Sequence, residues 1–86
     1  MTIYKNDLEI IKRWDKEFVS LMDYVKKIWH GGWKENEGVY ELTTDGNSEN
    51  EQIINAMQEN VLFWDVCWEE SKRGGYYRFD LGFYWI

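Results

Sequence analysis

The chain has 86 residues and a mass of 10.5 kDa, too short for two separately cored units, so it is expected to form one domain over residues 1–86. Apolar residues make up 44% of it and aromatic residues 19%, with six Trp and no Pro, which excludes a disordered or collagen-like chain. With 16 acidic and 10 basic residues the net charge is -6, which disfavours general electrostatic binding to nucleic acid or to an anionic membrane.

The first twenty residues alternate in charge and lack the apolar core of a leader or membrane span, so a cytoplasmic protein is expected. At ~100° per residue, Ile10, Ile11, Trp14, Phe18, Leu21, Met22, Val25, Ile28 and Trp29 fall in a stripe about 120° wide, which predicts one core-facing helix over roughly 7–30. Arg13, Lys16, Glu17, Ser20 and Lys27 take the opposite face, and Glu9 and Arg13 have acid-before-base spacing. Gly31 and Gly32 are expected to end the helix as residues that tolerate positive φ, with His30 in its last turn.

A strand is expected at residues 39–44, between the turn residues Asn36-Glu37-Gly38 and Asp45-Gly46-Asn47, with Trp33 opening a short partner strand. The oxygen-bearing run from Asp45 to Glu49 resembles the start of a calcium loop. Asn50 stands where such a loop needs Gly and Ala56 where it needs Glu, so a turn leading into a helix is expected and no metal site. Ser48 followed by Glu51 has capping-box spacing and predicts a second helix over about 49–60, with Ile53, Ala56, Met57, Asn60 and Val61 on one side.

Beyond Val61 the apolar period is read as two. Leu62, Trp64, Val66 and Trp68 alternate with Asp65 and Glu69, and Tyr77, Phe79, Leu81, Phe83 and Trp85 alternate with Tyr76, Arg78, Asp80 and Tyr84. Two antiparallel strands are predicted, joined through Ser71-Lys72-Arg73-Gly74-Gly75. The expected fold is α+β: a small antiparallel sheet of about three strands with a C-terminal hairpin, packed against two helices in the order α-β-α-β-β.

The chemistry-bearing residues are few. His30 is the one histidine, so Ser-His-Asp and His-rich metal sites cannot be assembled, and Cys67 is the one cysteine, expected to be a buried inert thiol. Two binding surfaces are candidates. Arg73, Gly74, Gly75, Tyr76 and Arg78 combine backbone donors, guanidinium forks and a stacking ring that suit a phosphate or nucleotide. Residues 31–60 hold seven acids against Lys34, and Glu35, Glu37, Glu41 and Glu49 are the candidate acidic face for a basic partner.

Between Thr44 and Phe79, the residues Ser48, Asn50-Glu51, Ile53-Ile54, Phe63-Trp64, Trp68 and the run from Ser71 to Tyr77 resemble a group of short bacteriophage proteins of uncharacterised activity. In that group the first segment commonly reads Gly-Trp-Ser-Gly-Asn-Glu and the hairpin Arg-Gly-Gly-His-Tyr. Here Asn47, Glu49 and Tyr76 replace the tryptophan, the second glycine and the histidine. Size, acidity and this resemblance together imply a non-enzymatic, cofactor-free protein of the host bacterial cytoplasm that sequesters or blocks a bacterial target, such as a component of an immune system. The expected partner is a host protein; the alternatives are a small nucleotide ligand held by the hairpin, or a role as a structural or accessory subunit whose aromatic surface is buried in a homo-oligomer.

Overall fold

The computed structural model describes residues 5–82. Its elements run α1 (Lys5–Lys12), α2 (Phe18–Ile28), β1 (Gly32–Asn36), β2 (Val39–Thr43), α3 (Ser48–Glu59), α4 (Val61–Cys67), β3 (Trp68–Lys72) and β4 (Tyr76–Asp80). The class is α+β, as expected. The described residues contain four helices and four strands, rather than two helices and about three strands. The sheet is antiparallel throughout, in the order β1-β2-β4-β3. Phe83, Tyr84 and Trp85, assigned to the last strand from the alternation, lie outside the described residues.

The N-terminal stripe survives although its helix is broken. Ile11, Phe18, Leu21, Met22, Val25 and Trp29 are all buried, while Arg13, Lys16, Glu17 and Lys27 are exposed. No Gly or Pro marks the break at residues 13–17. It is held from elsewhere in the chain: Asn60 donates from Nδ2 to the carbonyls of Ile11 and Trp14, each at 3.0 Å, capturing acceptors that a continuous helix would have satisfied internally. The Glu17 carbonyl then accepts from Trp14 Nε1 at 3.0 Å and from Ser20 Oγ at 2.6 Å, fixing the start of α2.

Asn36 and Val39 pair across a two-residue turn in which Glu37 (φ 50°) and Gly38 (φ 86°) are both left-handed, the geometry that matches the twist of a hairpin. Gly31 and Gly32 serve a different need from the one expected of them: neither adopts positive φ. A Cβ on Gly31 would lie 2.0 Å from the Thr43 carbonyl oxygen, so glycine is there because two chain segments approach closely. His30 lies past the end of α2 and is exposed; its backbone N–H donates to Asn50 Oδ1 at 3.0 Å.

At α3 the capping residue is Asn47 rather than Ser48, its side chain accepting from the Asn50 N–H at 3.0 Å. The largest departure follows. Residues 61–67 form a helix where alternation had predicted a strand, because the side chain of Asn60 also caps them, accepting from the Phe63 N–H at 3.3 Å. On that helix Phe63 and Cys67 turn inward together, four residues apart.

One sheet face carries the buried Tyr40, Leu42 and Phe79 and packs against the helices. Phe63 sits between layers, 5.3 Å from the Phe18 ring and 5.5 Å from that of Phe79. The opposite face bears Lys34, Glu41 and Arg78 side by side in register.

Candidate interaction surface

The open sheet face brings together residues of both sequence-derived candidates. Glu35, Glu37, Glu41 and Arg78, with Lys34, Asn36 and Val39, line a trough of about 610 Å³. Alternation along β2 and β4 puts Glu41 and Arg78 outward, and the register sets them beside one another. Tyr76 donates its hydroxyl to Glu41 Oε1 at 2.7 Å, which raises the pKa of its phenol. Arg78 is ion-paired through Nε with Glu69, and that carboxylate raises the pKa of its guanidinium further above the physiological range. Lys72 holds its ammonium 5.0 Å from the centre of the Tyr76 ring.

Arg73 stands exposed in the hairpin turn with Gly74 (φ 88°) and Gly75 (φ 83°), and Gly75 accepts a backbone hydrogen bond of 3.0 Å from Thr44. The hairpin thus holds its five candidate residues close in sequence, with Arg73 at the turn and Arg78 and Tyr76 engaged by carboxylates on the sheet. Of the four acids proposed as one face, three line the trough and Glu49 does not. Glu35 pairs with Lys26 at 2.8 Å, Glu37 occupies the β1–β2 turn, Glu41 sits mid-sheet, and Glu49 lies in the first turn of α3, outside the trough.

A second surface was not legible from alternation. Val61 and Leu62 are each 65% exposed, Val66 46% and Trp68 41%, and these are the large apolar side chains left in solvent among the described residues. Along the chain they make an exposed strip from the start of α4 to the start of β3, with Leu62 and Val66 on one side of the helix and Trp68 on the side of Trp64. Trp68 is fixed rather than loose: its indole stacks on Trp64 at 5.7 Å and 11°, and its Nε1–H donates to Ser71 Oγ at 2.8 Å. The one sequence signal for the strip is Asn60, a good N-cap immediately before the apolar run.

Cys67, on the inward side of α4, is fully buried, and burial first, then the charge of Asp80, pushes its thiol up to about 12. Among the described residues no group of His, Cys, Asp and Glu side chains is arranged to hold a metal ion, and no helix is long and apolar enough to cross a membrane. No family model, curated protein or solved structure matches the chain.

Proposed function

We propose that this chain is a non-enzymatic binding protein of phage or mobile-element type, which acts by covering a surface of a bacterial target protein. The observation that carries the proposal is the exposed strip of Val61, Leu62, Val66 and Trp68. Apolar side chains of this size gain from burial about 25 cal/mol per Å² when a partner removes them from water. A rigid exposed tryptophan is also the side-chain type that dominates interface energetics. The resemblance to short phage proteins supplies the biological setting, and a blocked component of bacterial immunity fits a small, acidic, rigid domain.

The test compares the wild-type chain with Leu62→Asp after expression in a bacterial host. The expected result is one host protein co-purifying in stoichiometric amount with the wild type, absent from the variant, and inhibited when titrated with the purified wild-type chain. A nucleotide retained in native mass spectra, with no protein partner, would overturn the proposal in favour of a ligand held by the Arg73–Arg78 hairpin.

A further inference from the structure

Building on the protein-binding reading above, we infer that the α4 strip receives an amphipathic helix of the partner, whose apolar side chains are bordered by lysine or arginine. Leu62 and Val66 lie one turn apart with Val61 beside them, making a ridge on a helix surface into which the ridges of a second helix can pack. Trp68, held by its stacking on Trp64, adds a fixed apolar surface on the flank of α4 that Val61 and Trp64 share by their three-residue spacing. A strand is the less suitable occupant: β3 is an edge strand, but its register shifts between Trp68 and Glu70, and a bulge of this kind turns an edge away from further pairing.

Charge selects the partner's border. From Gln58 to Ser71 the chain has four acids and no base. Two of them are partnered, Glu59 with Lys12 and Glu69 with Arg78, and Glu70 stands opposite Arg78 in the sheet register, which leaves Asp65 to set the sign beside the strip. Asp65 is exposed on the same helix as the strip. A second copy is disfavoured because a two-fold contact would bring this acidic border against itself.

The probe is a labelled leucine-lysine peptide of helical period, compared with its leucine-glutamate counterpart by fluorescence anisotropy on the full chain. The lysine peptide is expected to bind at least ~10-fold more tightly than the glutamate peptide. Leu62→Asp should weaken it by ~10-fold or more and Asp65→Lys by ~5-fold, while Glu51→Lys, the same charge change in the first half of α3, changes it by less than ~2-fold. Circular dichroism and melting curves verify that each variant is folded.

Equal losses from Asp65→Lys and Glu51→Lys would reduce the effect to net charge and overturn the inference. So would a wild-type dimer in sedimentation that Leu62→Asp dissociates, which gives the strip to a second copy. Tighter peptide binding by a chain lacking residues 83–86 would overturn it too, assigning the strip to the chain's own terminus. If the lysine peptide fails to bind while Leu62→Asp still loses the host target, the partner chemistry is wrong and the protein-binding reading stands. If Leu62→Asp leaves target capture unchanged, both fall.

Discussion

Two buried asparagine side chains, Asn50 and Asn60, tie together segments that lie far apart in the chain. Asn50 is fully buried; its Oδ1 accepts from the His30 N–H and its Nδ2 donates to the Thr44 carbonyl at 3.2 Å, so it joins the α2–β1 link to the end of β2. Asn60 uses all of its amide in the same way, capping α4 and closing the gap between α1 and α2. A buried donor or acceptor that loses its partner costs about 1–3 kcal/mol. Asn60→Ala strips three groups at once, so chemical denaturation should show a loss of about 2–4 kcal/mol. Asn60→Asp should be no milder although it keeps the cap, because its carboxylate would face the Ile11 and Trp14 carbonyls in place of a donor. A loss below ~1 kcal/mol for the alanine variant would mean that water replaces the amide.

At the scale of the elements, α4 gives the sharpest contrast between periods of two and 3.6. Alternation places Leu62 in the core and Phe63 outside; the helix reverses them, leaving Phe63 fully buried and Leu62 65% exposed. Phe63→Ala should therefore cost about 3–5 kcal/mol and Leu62→Ala ~0.5 kcal/mol or less, as read from urea midpoints. The reverse order would restore the strand. The β3–β4 hairpin gives a second pair. Gly74 and Gly75 both have positive φ, but a Cβ on Gly74 meets nothing within 4 Å, whereas one on Gly75 would lie 2.1 Å from Thr44 Oγ1. Gly74→Ala should lose only the left-handed penalty of about 1–2 kcal/mol, and Gly75→Ala clearly more. Equal losses would show that the Thr44 side chain rotates away without cost.

For the molecule as a whole, the buried titratable groups set an alkaline limit. Burial raises Cys67 from 9.0 to about 12, and burial with the hydrogen bond to Asp7 raises Tyr24 from 10.0 to about 12. In both cases the fold favours the neutral form, so the unfolded chain ionises first as the pH rises. The stabilising contribution is complete below about pH 9, falls as the unfolded thiol and then the unfolded phenol ionise, and is gone above about pH 12. Urea midpoints should fall as the pH rises from about 9 towards about 12, and Cys67→Ala should remove the part of the slope that begins first. A slope unchanged by that substitution would place the titrating group elsewhere.

The sequence by itself determined the α+β class, the inward stripe of the first thirty residues, the helix at α3, the β1–β2 turn and the C-terminal hairpin. Each of these is local: side-chain period, turn residues and caps lie within a few positions of the structure they specify. Tertiary structure decided the rest. The break at residues 13–17 contains no helix breaker and exists because Asn60, 49 residues from Ile11, takes the freed carbonyl. The segment from Val61 to Cys67 fits either period. Packing of Phe63 between Phe18 and Phe79, together with the Asn60 cap, made it a helix. That choice exposed Val61, Leu62 and Val66, so the strip proposed as the binding surface follows from long-range contacts that no local pattern records. The same holds for Glu41 and Arg78, assigned to separate candidates along the chain and set side by side only when β2 paired with β4.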